Sequence, residues 1–222
     1  MIMKRKQYVV IGIGRFGSTV AKTLFSLDND VLALDADEDN VQNISEHVTH
    51  AVQVDATDEN SLKSLGLRNM DVAVITIGAD IQASIMATLI VKEMGIPYII
   101  AKANSEIHAK LLYKIGADKV ILPERDMGIR VAHSLVASNI LDFIELSNEY
   151  NIAEIVCPDE WVGRSIMQMN FRADYGLNVM AIKSGEKIEI SPAPDYRLSD
   201  GDVIVAIGDV KSLEKIEIRT KK

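Results

Sequence analysis

Gly12-Ile13-Gly14-Arg15-Phe16-Gly17 spaces three glycines as G-x-G-x-x-G, and Asp35 stands eighteen residues past the last of them. Each residue type at that spacing has a chemical use. Gly12 permits a tight turn, Gly14 lets a pyrophosphate approach the backbone with no Cβ in the way, and Gly17 lets a helix lie close on a sheet. Such a helix turns unpaired N–H groups and the positive end of its dipole toward the phosphates. A carboxylate at Asp35 can accept from both hydroxyls of an adenosine ribose. It would repel a 2′-phosphate, so NADP is disfavoured. Arg15 brings a full positive charge between the second and third glycines, which favours a more anionic ligand such as ATP or ADP. Its other reading is a solvated loop residue.

Further along, Asp55-Ala56-Thr57-Asp58, Gly78-Ala79-Asp80, Lys102 and Glu124 each follow a short apolar run. In a doubly wound sheet the carboxyl ends of the strands are where ligands sit, so these residues are expected at the same site. Asp55, Ala56 and Thr57 are placed to contact an adenine or ribose, unless Thr57 or Asp58 merely caps the next helix. Glu124 can hold a divalent cation, Mg or Ca, on a polyphosphate, or can stabilise the N-terminus of the helix that follows it.

Other chemistry is thinly provided for. His47 and His50 lie three apart at a helix end, but no third metal-type ligand is close in sequence. Cys157, beside Pro158, has no neighbouring basic residue to activate it and reads as an inert thiol. Hydride transfer needs a general acid or base held over the nicotinamide. The last histidine is His133, so residues 143–222 contain none and their lysines and tyrosines show no recognisable catalytic pairing; a nucleotide site without reaction chemistry points to sensing rather than catalysis.

These residues need a frame, and the hydrophobic pattern predicts one. Apolar runs at 7–11, 31–35, 51–54, 72–77, 98–101 and 118–122 alternate with helical stripes, the first carried by Val20, Leu24 and Leu27. Six strands alternating with helices through short loops predict an α/β, doubly wound parallel sheet over residues 1–124. A helix over 125–139 carries Met127, Val131 and Leu135 on one stripe and Ile129, Ala132 and Val136 on a neighbouring one. So wide an apolar arc fits either a helix crossing to another subunit or a last helix packed on its own sheet. From 143 to 222 the texture changes to short strands with S-G and D-G turns, which predicts a small α+β domain after a linker ending near 142.

Composition narrows the partners. The 222 residues are 48% hydrophobic, enough for a proper core, and carry a net charge of −8. Phosphate backbones are bound by clustered Lys and Arg, so nucleic acid is a poor expectation. No apolar stretch nears the ~20 residues that span a bilayer, and no leader-like segment opens the sequence. With a single cysteine the chain is expected in the cytoplasm.

The stretches Val10 to Gly17, Asp55 to Asp58, Leu65-Gly66-Leu67-Arg68-Asn69, Ile77 to Ser84, Ile115-Gly116-Ala117-Asp118 and Pro123-Glu124-Arg125-Asp126-Met127 together resemble the RCK (regulator of K⁺ conductance) family. This family is also called KTN or TrkA-like, and the likeness is strongest to the Ktr-type cytosolic subunits of bacterial potassium uptake. Phe171 to Asn178 and the following segment through Ser191-Pro192 are similar to the family's RCK-C domain. The resemblance implies an RCK-N domain, a crossover helix that swaps dimers, and an octameric ring. That ring would dock on a membrane K⁺-translocating subunit, peripheral to the inner face of the membrane, and answer to ATP and ADP. It also implies that Arg15 reaches a γ-phosphate held by a neighbouring subunit and that Glu124 meets a divalent cation between subunits. Cyclic di-AMP is implied as a second ligand, at Arg172, Asn178 and Pro192 or Pro194. The alternative from another class is a small NAD-dependent oxidoreductase or an NAD or NADH redox sensor.

Overall fold

The computed structural model describes residues 5–136, 140–147 and 149–219, and divides into two compact units, one up to Glu124 and one from Arg125.

In the first unit the strands β1 (Gln7–Ile11), β2 (Asp30–Asp35), β3 (His50–Gln53), β4 (Val72–Ile75), β5 (Tyr98–Lys102) and β6 (Lys119–Ile121) form one parallel sheet in the order β3-β2-β1-β4-β5-β6. All four residues of β4 are buried, as a strand covered on both faces requires. Alternate residues feed two cores: Val9, Ile11, Leu32 and Leu34 join one, and Val10, Val31 and Ala33 the other. Helices α1 (Arg15–Ser26), α2 (Glu38–Ile44), α3 (Glu59–Ser64), α4 (Ile81–Glu93) and α5 (Glu106–Lys114) connect the strands. The order in which strands are added reverses between β1 and β4, which opens a crevice at their carboxyl ends.

Helix starts follow the short polar residues. Asp37, Asp58, Asp80 and Ser105 cap α2, α3, α4 and α5 with side-chain hydrogen bonds to backbone N–H groups. Helix α1 differs: it begins at Gly14 with no side-chain cap and has no acidic residue in its first turn. Of the two roles open to Asp58 and Thr57, capping falls to Asp58, which accepts from Asn60 N–H at 3.0 Å.

Helix α6 (Pro123–Val136) begins two residues earlier than the pattern predicts, because proline is tolerated in a first helical turn. Residues 137–139 of the expected helix, and the side chain of Val136, lie outside the described residues. Met127, Ile129, Val131 and Leu135 are exposed in the single chain.

In the second unit β7 (Ile140–Glu145), β8 (Tyr150–Val156), β9 (Leu177–Ser184), β10 (Lys187–Ile190) and β11 (Val203–Asp209) form an antiparallel sheet in the order β10-β9-β11-β8-β7. Two short helices, α7 (Ile166–Met169) and α8 (Phe171–Tyr175), are divided by Asn170 at φ 45°. Trp161 is 1% exposed, with the rings of Phe171 and Tyr175 edge-on at 5.1 and 5.2 Å. Cys157 is buried and its thiol is pushed up to about 11, chiefly by burial, with Asp202 adding to it. A thiol held so far from its thiolate is inert, as the sequence suggests. A last helix, α9 (Val210–Arg219), was not expected from the pattern. The Asp209 carboxylate opens it by accepting from Ser212 N–H at 2.8 Å, and Leu213 and Ile216 bury into the core. Among the described residues no helix is long and apolar enough to cross a membrane.

Candidate functional site

The turn after β1 is held from three sides. Gly12 takes φ 94°, a left-handed conformation that favours glycine, and its N–H donates to Leu34 O at 2.8 Å. The Thr76 hydroxyl, just past β4, donates to the Gly12 carbonyl, with the Ile11 carbonyl 3.2 Å away. On the third side Asp35 binds the loop directly. One carboxylate oxygen accepts from Ile13 N–H and the other from Asp37 N–H at 2.8 Å. Gly17 packs against this turn so closely that a Cβ there would stand 1.9 Å from Gly12 O and 2.5 Å from Thr76 Oγ1.

Above the turn lies a cavity of about 870 Å³, within the range of sites that hold a nucleotide-sized molecule. The structure brings Gly12, Gly14, Asp35, Asp55, Ala56, Thr57, Gly78 and Ala79 together along its wall. A Cβ at Gly14 would meet nothing within 4 Å, so the backbone there is open to close approach. The first N–H groups of an α-helix have no intrahelical partner. Those of α1 have no side-chain cap either, and α1 starts at the cavity. Asp55 is held well ionised, chiefly by the backbone N–H of Thr57 and then by its hydroxyl, at 2.8 and 2.7 Å.

Arg15, Phe16, Lys102 and Glu124 do not line this cavity and gather beyond its Gly78 wall instead. Lys102 Nζ is 2.5 Å from Glu124 Oε1 and 5.8 Å from the centroid of the Phe16 ring. The Glu124 carboxyl is lowered, first by the Lys102 hydrogen bond and with a smaller contribution from the charge of Arg15. Arg15 itself is exposed. Gly17 lies buried beneath the loop.

Thr76, Asn40 and Gln82 also face the cavity and were not foreseen. Thr76 had a readable signal, a lone hydroxyl at the carboxyl end of the run Val72 to Ile77. Asn40 and Gln82 had none beyond their place in the first turns of α2 and α4.

In the second unit Arg172 and Asn178 line a cavity of about 380 Å³ together with Tyr150 and Asp209. Pro192 and Pro194 are not part of its wall, and the Pro194 carbonyl accepts from Met167 N–H at 2.8 Å. His47 and His50 are exposed, and among the described residues no group of three His, Cys, Asp or Glu side chains is arranged to hold a metal. His108 is buried with Nδ1 3.2 Å from Asn104 Oδ1, and burial lowers its pKa. It is packing rather than chemistry.

Comparison with known proteins agrees with this geometry. The TrkA-N domain family matches residues 8–123 and the TrkA-C domain family residues 152–217. The chain is 43% identical over 215 residues to Ktr system potassium uptake protein C of Bacillus subtilis (strain 168). It is 44% identical over 215 residues to Ktr system potassium uptake protein A of the same organism, and each alignment covers 97% of both chains. A crystal structure of the GsuK RCK domain shares the fold, with a TM-score of 0.67 at 19% identity over 100% of this chain and 49% of that one. The chain therefore belongs to the family of proteins that join a TrkA-N to a TrkA-C domain, and is homologous to the Ktr potassium uptake proteins.

Proposed function

We propose that the chain is the cytoplasmic, nucleotide-sensing regulatory subunit of a potassium uptake system. The observation that carries the nucleotide part is the uncapped start of α1. It opens at Gly14 onto the cavity whose rim holds the ribose-type acceptor Asp35. Homology to the Ktr proteins carries the potassium part. In this reading α1 and the glycine turn bind the phosphates of ATP or ADP, Asp35 the ribose, and Asp55, Ala56, Thr57, Gly78 and Ala79 the rest of the nucleoside. The protein is a sensor, not an enzyme.

Assembly follows in the same reading. The exposed apolar side chains of α6, a span taken with the linker as 125–142 between domains 1–124 and 143–222, cross to a second copy. Dimers then close into an octameric ring, which docks peripherally on a membrane K⁺-translocating subunit. Arg15 reaches the γ-phosphate in a neighbouring copy. Glu124 brings one carboxylate to a divalent cation, and one carboxylate does not make a cation site within a single chain. Such an ion would need oxygens from the polyphosphate and from a neighbouring subunit.

Titration of the full chain with ATP, ADP, NAD and NADH tests the reading. ATP and ADP should bind stoichiometrically, and a preference for NADH would favour the redox alternative. Arg15→Ala should bind ADP almost normally while the ATP-dependent change in ring shape, read by small-angle scattering, disappears. A mutant that keeps the full difference in shape would put the switch elsewhere.

In this reading the second cavity takes cyclic di-AMP, with Arg172 and Asn178 as its contacts and Pro192 or Pro194 as a further contact that the family resemblance implies. Arg172→Ala in the full chain should weaken cyclic di-AMP binding by about tenfold or more, the effect of losing a charge-assisted hydrogen bond. Unchanged affinity would remove this cavity from consideration.

A further inference from the structure

Lys102 ends β5 with its side chain 13% exposed, whereas its partner Glu124, in the first turn of α6, is 70% exposed. An ammonium so largely withdrawn from solvent favours a compensating charge beside it, and here that charge is one carboxylate oxygen at 2.5 Å. The same ammonium stands directly behind the cavity wall, since a Cβ added at Gly78 would lie 3.5 Å from Lys102 Nζ. The uncapped start of α1, where the phosphates of a nucleotide would begin, is close to it, since the ring of Phe16 in the first turn of that helix is centred 5.8 Å from Lys102 Nζ. A chain of phosphates leaving Gly14 toward Gly78 therefore runs at Lys102, which Glu124 already holds.

We propose that Glu124 is an internal competitor for Lys102. It holds the ammonium until a third phosphate takes it, and the exchange frees the carboxylate at the head of α6. The inference rests on the nucleotide reading above and deepens it. ATP and ADP can favour different states only through contacts that differ between them, and the terminal phosphate is the one group in which they differ. ADP leaves the Lys102–Glu124 pair in place, and ATP exchanges it. Because Glu124 belongs to α6, the exchange acts on the helix that leaves the nucleotide unit.

Competition gives an unusual signature, in that removing the carboxylate should tighten binding. Calorimetric titration of the full chain with ATP, ADP and AMP, in a chelator so that no divalent cation intervenes, separates the cases. Lys102→Met should weaken ATP by about tenfold or more and leave ADP within about twofold. Glu124→Gln should tighten ATP by about threefold to tenfold and leave ADP unchanged. In the Lys102→Met background Glu124→Gln should give no gain, because the partner over which they compete is gone. A gain that persists in the double variant would mean plain repulsion between carboxylate and phosphate and would overturn the proposal. So would weaker ATP binding by Glu124→Gln, or an equal loss of ATP and ADP in Lys102→Met. If Lys102→Met melts before it can be titrated, Lys102→Gln carries the same test. Absence of all nucleotide binding in the parent would instead overturn the nucleotide reading itself.

Discussion

Replacing Gly17 by alanine is expected to lower the melting temperature of the nucleotide unit by several degrees and to abolish ATP and ADP binding. The new Cβ would be built 1.9 Å from the Gly12 carbonyl oxygen and 2.5 Å from Thr76 Oγ1. The first neighbour is backbone, so no rotamer change can relieve it. Alanine gains about 1 kcal/mol of helix propensity over glycine, but overpacking against backbone that cannot move aside costs about 2 to 3 kcal/mol, the upper part of the usual range, for a net loss of about 1 to 2 kcal/mol. The helix can escape only by lifting from the sheet, which carries the start of α1 away from Gly12 and unseats the Thr76 latch on the Gly12 carbonyl. At about 4 °C per kcal/mol for a domain of this size, the melting point should fall by about 4 to 8 °C. The contrasting variant is Gly14→Ala. Its Cβ meets nothing within 4 Å, so it should leave the melting point near the parent's and impair only phosphate binding. Were Gly17→Ala to melt with the parent and bind ADP normally, the close seating of α1 would not be what shapes the site.

That pair also shows how much of this molecule was legible in its sequence. The parallel sheet could be read because each strand is a short apolar run buried on both faces, and because glycines and short polar residues mark the turns. The glycine turn and Asp35 could be read because their spacing is fixed by the length of one strand–helix–strand unit. Helix α9 carries readable signals as well, with Val210, Leu213 and Ile216 at helical spacing directly after Asp209, a short polar residue of the kind that caps a helix start. The break between α7 and α8 hangs on one residue, Asn170, in a conformation that asparagine tolerates but does not announce.

The candidate site divides the same way. Residues that touch the cavity by backbone or short side chain, from Gly12 to Ala79, follow from strand ends alone. The division of labour beyond them does not. Lys102 and Glu124 were expected as separate ligand contacts, yet they are each other's partners, because two strand ends far apart in sequence, β5 and β6, are neighbours in the sheet. Asp35 likewise reads as a ribose acceptor only, and the backbone bonds it makes to Ile13 and Asp37 needed the fold to appear.

Those two bonds enlarge what Asp35→Ala should do. A ribose contact alone predicts that ATP and ADP lose affinity alike, by about 1.5 to 3 kcal/mol for hydrogen bonds to a charged acceptor. The structure adds a second loss, because Ile13 is buried and its N–H would be left without the acceptor it has now. An orphaned buried donor costs about 1 to 3 kcal/mol, borne by the folded chain whether or not ligand is present. The variant should therefore melt lower than the parent without nucleotide and bind both nucleotides at least tenfold more weakly. Asp35→Asn separates the two effects. Its amide oxygen can still accept from one backbone N–H, so much of the stability should return. A neutral amide is a weaker acceptor for the ribose diol, so most of the loss in affinity should remain. Thermal melting and calorimetry on the two variants read these quantities independently. If both variants bound ATP and ADP as the parent does, Asp35 would be a structural tie of the glycine loop and nothing more. If only the unliganded melting point moved, the ribose would have to be held by other residues on the cavity wall, with Asn40 on α2 a polar candidate.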